Sequence, residues 1–368
     1  MKCIVEKKDL TNPLQKINTL LIKNNPNEIL GNILIEVKKS YILLISTNTE
    51  IQLIYKIPNK YHCITGKITV SGKKILDIFR VISEKFLIYI KIIDKKLYIY
   101  SKNSKFCLLT LPAKQFPYFK KQKYSKKFYI KQKIFKNMLE YTYFSMSVKD
   151  VRSYLNGIFI EFTQKYIRTI ATNGHRIAIF KKKIKKNQSF PIFNIILPRK
   201  SAIELNKLLT KQDMLIKVLF NQNSIKIYIN NIVFISKLIN NNFPNLNHIL
   251  SIKKKYKIQI KKKLLKKSLS HVLILVHSQL KGICLTFKKN ICKITSDNQE
   301  EQARYKFKIK YKYTKKIKIS ININYLLDVL NVLKSDLIDL IFDKKIQFFE
   351  IQTSKKKELR YIILPLYL

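Results

Sequence analysis

Few residues in this 368-residue chain have the type and spacing that chemistry needs. Its histidines, at 62, 175, 248, 271 and 277, form no HExxH and no i, i+4 pair, so no metal-binding helix is expected. Its five cysteines, at 3, 63, 107, 284 and 292, include no CxxC pair and are odd in number, which points to reduced core thiols. Residues 66–74, GKITVSGKK, approach a phosphate-cradling loop. Five residues separate the glycines where four are needed, and Lys-Ile follows rather than Lys-Ser or Lys-Thr, so the magnesium-binding hydroxyl is missing. The six glycines make no GxGxxG, and there is no GxSxG. The 22 acidic residues fall mostly in turns and helix starts, which argues against a two-metal nuclease site. No catalytic residue, metal site or cofactor is expected, and a binding or scaffolding role is favoured.

The elements that must position the remaining polar residues occur three times. Each unit opens with a strand and a helix: 3–5 then 13–21, 128–130 then 134–143, 258–260 then 264–276. Asn12 is expected to cap the first of these helices, with Pro13 at its first position. A second helix follows at 73–82, 200–209 and 324–333, with Asp77, Glu204 and Asp328 at the same place. A hairpin comes next, at 86–101, 215–230 and 337–351, and a last strand at 106–112, 233–238 and 361–368. Phe-Pro recurs at 116–117 and 243–244. The fold class is α+β, with domains expected at 1–122, 128–247 and 248–368 and polar, basic linkers near 118–127 and 245–257.

Net charge is +51, which suggests a polyanionic partner. Of 73 basic residues only seven are arginine, and Ile and Asn are abundant while Gly is scarce. Lys, Ile and Asn share AT-rich codons, so compositional drift accounts for much of the lysine excess. The arginines are the better clue, and four of them lie between 152 and 199. An apolar fraction of 46% with 21 Phe and 21 Tyr argues against disorder. No apolar run reaches the ~18 residues of a membrane span. The opening MKCIVEKKDL lacks an apolar leader, so a cytoplasmic, non-membrane protein is expected.

Residues 145–180 read SMSVKDVRSYLNGIFIEFTQKYIRTIATNGHRIAIF. This is a loop (147–153), a strand (154–162) and a second strand (167–180) broken at Asn173-Gly174, where glycine permits a tight bend. The segment resembles the β subunit of bacterial DNA polymerase III, the sliding clamp family. The resemblance extends in order through ILGNILIEV (29–37), TLPAKQFP (110–117), ILPRKSAIEL (196–205), NYLLDVLNVLK (324–334) and YIILPLYL (361–368).

That resemblance implies a head-to-tail homodimer whose six similar domains form a ring around duplex DNA and tether the polymerase. DNA-facing positions would be Lys73, Lys74 and Arg80 on one helix, Lys149, Arg152 and Tyr154 in or beside a loop, Arg199 and Lys200 at a helix start, and Lys334. Lys23 substitutes for the basic residue often found at the position of Asn24.

A peptide pocket for the polymerase catalytic subunit and the clamp loader would use Leu155, Thr172, Gly174, His175, Arg176 and Ile177. Pro244 and Ile249 would come from the linker, and Ile362, Ile363, Leu364, Pro365 and Leu366 from the tail. His248 and Tyr367 stand where the family often has arginine, leaving the pocket less charged. The dimer seam would set Lys105, Phe106 and Leu108 against Ile274, Leu275, Glu300 and Glu301. The alternative from another class is a basic DNA-binding repeat protein without ring closure.

Overall fold

Each repeat opens on a strand whose side chains alternate between core and solvent, the period of two of a half-buried strand. In Tyr256–Lys261, Tyr256, Ile258 and Ile260 are buried and their neighbours exposed. The computed structural model describes residues 1–21, 28–83, 86–120, 122–184, 191–276, 281–297, 301–353 and 358–366. The first repeat contains β1 (Lys2–Glu6), α1 (Lys7–Asn18), β2 (Asn32–Val37), β3 (Tyr41–Thr47), β4 (Ile51–Pro58) and β5 (Gly66–Ser71). It continues with α2 (Gly72–Val81), β6 (Leu87–Ile93), β7 (Lys96–Ser101) and β8 (Ser104–Leu111). The second contains β9 (Lys126–Lys131), α3 (Gln132–Glu140), β10 (Gly157–Phe162), β11 (Tyr166–Thr172), β12 (Arg176–Lys183) and β13 (Phe193–Pro198). Then come α4 (Arg199–Leu208), β14 (Leu215–Phe220), β15 (Ser224–Ile229) and β16 (Ile232–Lys237). A single helical turn, α5 (Asn247–Leu250), occupies the second linker. The third repeat contains β17 (Tyr256–Lys261), α6 (Lys262–Leu273), β18 (Gly282–Lys288), β19 (Ile291–Asp297), β20 (Gln302–Lys308) and β21 (Ile317–Asn322). It ends with α7 (Ile323–Val332), β22 (Leu337–Phe342), β23 (Phe349–Thr353) and β24 (Leu359–Ile363).

The chain forms two compact units. Met1–Lys136 with Ile203–Leu238 is built on a twelve-stranded antiparallel sheet, ordered β1-β6-β7-β8-β5-β2-β3-β4-β16-β15-β14-β9. Asn137–Ala202 with Ile239–Leu368 holds an eight-stranded sheet, β13-β10-β11-β12-β24-β23-β22-β17, and a four-stranded one, β20-β19-β18-β21. Inside the first unit β4 pairs with β16, joining the first repeat to the second. Inside the second unit β12 pairs with β24, joining the second to the third. The hairpins keep step: Thr47 faces Gln52, Thr172 faces Ile177 and Asp297 faces Gln302.

The second helices run one residue ahead of expectation at both ends, at 72–81, 199–208 and 323–332. The first helices start earlier than expected. α1 begins at Lys7, so Pro13 lies inside it and Asn12 does not cap it. Glu6 and Lys261 lead from strand straight into helix with no side-chain cap bond, which leaves no local start signal. The helix keeps Pro13 because Leu10, Leu14 and Ile17 bury together against the sheet, outweighing one lost backbone bond. Residues 153–156 form a 3-10 turn, not the expected strand. The strand starts at Gly157, where a Cβ would lie 2.6 Å from Ile196 Cγ2 and 2.7 Å from the Leu197 carbonyl. The last strand stops at Ile363; residues 364–366 leave the sheet.

Candidate functional site

An apolar cluster on the eight-stranded sheet, partly open to solvent, is the candidate groove. Ile170, Ile177, Ile179 and Ile362 share one face of β11, β12 and β24, and Phe348 joins them in a buried cluster. Phe159, Phe243, Leu246, Ile249 and Leu250 pack over it but remain partly exposed. The Phe243 ring stacks on Phe159 with centroids 4.6 Å apart. The same place in the first repeat is sealed. There Leu34 pairs with Ile45 as Phe159 pairs with Ile170, and Phe116 lies over them, 4% exposed. Replacing a flat Leu34–Phe116 plug by two half-buried rings leaves an apolar surface that a partner's Leu or Phe can complete.

The groove's rim is held by hydrogen bonds donated by backbone N–H groups. Gly174 has φ +89°, a conformation that favours glycine, and its N–H donates to Thr172 Oγ1 at 3.1 Å. Asn173 Oδ1 accepts from the N–H groups of His175 and Arg176, both at 3.1 Å. The His175 carbonyl accepts the Leu364 N–H at 2.9 Å, which fixes the tail beside the bend. Leu364 is 40% exposed, whereas Ile362 and Ile363 are buried in β24. Pro365 and Leu366 are half-buried, and the Leu366 N–H donates to the Ser320 carbonyl. Pro244 is exposed next to Phe243, His248 is exposed on α5, and Leu155 is the buried residue of the 153–156 turn.

Arg360 anchors α5. It donates to the Leu250 carbonyl and to both oxygens of Glu350, which Lys254 also meets at 2.9 Å. Burial pushes the Glu350 carboxyl up, but the bonds from Arg360 and Gln352 more than offset this and hold it below the usual range.

Arg176, expected at the pocket, is tied into the surrounding fold. Its side chain is buried, donates to Asp328 Oδ2 at 2.6 Å and to the Phe144 carbonyl, and lies 4.4 Å from the Tyr325 ring centre. It braces the sheet to α7. The aligned acids explain why Asp328 is available. Asp77 and Glu204 pair with Arg80 and Lys207 one turn on, but that position after Asp328 is Asn331. Thus Ile177 and Ile362 belong to the buried cluster, Ile249 packs against it, and Thr172, Gly174, His175 and Leu364 lie at the bend and tail beside it. Phe159, Phe243, Leu246, Leu250 and Phe348 went unassigned in the sequence. The Phe-Pro junction at 243–244 was the available signal. Tyr367 lies outside the described residues.

The basic candidates spread over helix and loop. Lys73, Lys74 and Arg80 are exposed on α2, Lys200 on α4 and Lys149 on the 147–153 loop. Arg152 is exposed and bonds Asp150 at 3.0 Å, which lowers the Asp150 carboxyl below its ordinary value. A Cβ at Gly174 would lie 3.4 Å from Arg152 Nη2, so this loop borders the groove's rim. Tyr154 meets Phe243 edge-on at 6.1 Å and therefore belongs to the groove's aromatic wall. Arg199 is half-buried and donates to the Met146 carbonyl at 3.2 Å. Lys334 is exposed two residues past the end of α7. Lys23 lies outside the described residues.

The seam candidates lie on β8, at the end of α6 and beside β20. β8 pairs with β7 along Ser104–Leu109 but meets β5 only at Thr110 and Leu111. β20 is an edge of its four-stranded sheet. Phe106 and Leu108 are half-buried, and Lys105 is exposed. Ile274 is 79% exposed, Leu275 half-buried and Glu301 exposed; Glu300 lies outside the described residues. Among the described residues no group of three His, Cys, Asp or Glu could hold a metal, and no helix is long and apolar enough to cross a membrane.

Three family profiles match the chain in order: DNA polymerase III β subunit N-terminal domain over residues 1–120, central domain over 129–245 and C-terminal domain over 247–367. The chain is 41% identical over 366 residues to the β sliding clamp of Buchnera aphidicola subsp. Rhopalosiphum padi, with 100% of each chain covered. It is 31% identical over 368 residues to that of Escherichia coli strain K12, again with full coverage. A crystal structure of the DNA polymerase III β subunit from Pseudomonas aeruginosa superposes over 100% of both chains with a TM-score of 0.95 at 28% identity. A sliding clamp of the same organism bound to griselimycin superposes with a TM-score of 0.94 at 28% identity.

Proposed function

This chain belongs to the bacterial DNA polymerase III β-subunit family, the sliding clamps, and on that premise we propose that it closes around duplex DNA as a head-to-tail dimer and tethers the replicative polymerase. It is a non-catalytic subunit and acts in the cytoplasm. Its domains divide at 1–122, 128–247 and 248–368.

One observation carries the ring. The chain makes the same strand junction twice, β4 with β16 and β12 with β24. The third member of that series would pair β20, an edge strand, with β8, whose described pairing to β5 is at Thr110 and Leu111. At the internal junctions the aromatic of the closing strand is fully covered: Phe234 is 0% and Tyr361 1% exposed. Phe106, their counterpart in β8, is only half-buried. A second copy supplying β20 would cover it. Two chains then make six repeats and two seams, a heterologous contact that closes by two-fold rotation.

Lys73, Lys74, Arg80, Lys149, Arg152, Arg199 and Lys200 would contact phosphates. Surface pairs such as Arg80–Asp77 and Arg152–Asp150 are weak, so these guanidiniums can exchange a carboxylate for a phosphate. The groove at Phe159 and Phe243 would take Leu and Phe anchors of short peptides from the polymerase and the clamp loader. The test is solution mass at micromolar concentration, expected at twice 43.7 kDa. Phe106→Ala should raise the dissociation constant about tenfold or more. A monomer, or a variant that dimerises as tightly as wild type, would overturn the seam.

A further inference from the structure

We infer that the seam between two copies sets like charges side by side, so that the ring closes more tightly as ionic strength rises. This rests on the pairing of β20 with β8 proposed above. The register follows from the internal junctions. β4 meets β16 with Ile51 opposite Ser236, Leu53 opposite Phe234 and Ile54 opposite Val233. β12 meets β24 with Arg176 opposite Ile363, Ala178 opposite Tyr361 and Ile179 opposite Arg360. The hairpins at Thr47–Gln52, Thr172–Ile177 and Asp297–Gln302 align β4, β12 and β20. The two-residue turns after Ile229 and Ser101 align β16 with β8. Carried to the third junction, Glu301 falls opposite Leu108, Ala303 opposite Phe106 and Arg304 opposite Lys105.

The Ala303–Phe106 pair reproduces Ala178–Tyr361 on the buried face. The next pair, on the opposite face, differs in kind. The internal junctions place there Ile54 with Val233, or Ile179 with an Arg360 that Glu350 neutralises at 2.6 Å. The seam places Arg304 beside Lys105. Both are exposed. Lys105 Nζ lies 5.6 and 5.7 Å from the ring centres of Tyr98 and Tyr100, and Lys91 shares the Tyr100 ring. Arg304 pairs with Thr295 in its own sheet, and Lys306 with Lys293 beyond it. Gln302 starts the strand on this face, and alternation puts Glu301 on the other. The Arg304–Lys105 level itself carries cations alone among the described residues.

Like charges directly opposite on antiparallel strands weaken the pair, by roughly two- to fivefold in equilibrium constant. Both seams of a dimer carry it, so the effect on dimerisation is about four- to twenty-fivefold. Salt screens repulsion at this range, and dimerisation therefore strengthens with salt. An acid-base seam would do the reverse.

The experiment measures the dimer dissociation constant of the full chain by sedimentation at about 0.05 M and about 0.5 M sodium chloride. The constant is expected to fall at the higher salt. Arg304→Glu should tighten the dimer about tenfold at low salt and reverse the salt dependence. Lys127→Glu, exposed on β9 at the far edge of the twelve-stranded sheet, changes net charge equally and should have little effect. A dimer that loosens with salt, or that responds alike to both variants, overturns the like-charge seam while leaving the ring intact. Monomers at both salts in wild type and Arg304→Glu overturn the β20–β8 pairing as well.

Discussion

Glu350 and Arg360 set the groove's wall through charge held inside the sheet. Glu350 is fully buried and accepts from Arg360 at 2.6 and 3.1 Å. Its folded carboxyl titrates below the unfolded value of about 4.3, so its contribution to stability is present above that pH and lost as pH falls towards the folded value. Glu350→Gln should therefore lower the melting temperature at neutral pH, and the gap from wild type should narrow from about pH 5 downward. A gap constant with pH would show that packing, not charge, holds α5. Phe243 belongs to the same wall but bears on binding. Phe243→Ala should weaken a fluorescent peptide carrying Gln and a Leu-Phe pair about tenfold or more while leaving dimer mass unchanged. Deleting Leu364–Leu368 should abolish the same signal. Undiminished binding to either variant would place the site elsewhere. The sequence marked Phe243 as a repeated Phe-Pro junction. It could not tell that Phe116 seals its site whereas Phe243 leaves one open, because that depends on what each ring lies against.

Between elements, a recurring lysine ties the two helices of each repeat. Lys7 Nζ donates to the Ile82 carbonyl at 2.6 Å, just past α2. Lys136 Nζ donates to the Asn206 and Leu209 carbonyls at the end of α4, and Lys262 Nζ to the Leu333 carbonyl after α7, at 2.7 Å. A cation at these carbonyls satisfies orphan acceptors and complements the helix dipole. In the second repeat Gln132 holds the position of Lys7 and Lys262, and it instead accepts from the Thr210 N–H at 2.7 Å. Lys7→Met and Lys262→Met should each cost about 1–2 kcal/mol in urea unfolding. Loss of less than a few tenths in both would mean water replaces the ammonium at no penalty. Strand spacing and the second helices were legible because apolar period and turn residues are local signals. The first helix starts were not. In the first and third repeats the first residue is a lysine that bonds a carbonyl about seventy residues away, with no side-chain cap to announce it, and in the second it is Gln132.

For the whole molecule, charge and topology respond to salt in opposite senses. Exposed lysines occupy strands as well as helices, Lys127 on β9, Lys181 on β12, Lys306 and Lys308 on β20 and Lys318 on β21 among them. A charge of +51 is thus not confined to helix faces. Free protein should bind linear DNA non-specifically at low salt, with a steep slope from counterion release. That binding should be gone by roughly 0.3 M salt, where the Debye length is well under 10 Å. A ring loaded on nicked circular DNA has a different exit. It must open a seam, and seams bearing Arg304 opposite Lys105 hold better as salt rises. Retention on the circle at roughly 0.3 M salt should therefore match or exceed retention at low salt, and cutting the circle should release the protein from the ends. The measurement is co-elution of labelled protein with circular and linearised DNA after loading. Equal loss from both forms would mean that phosphate contacts alone hold the protein, and would favour a basic repeat protein that binds DNA without encircling it.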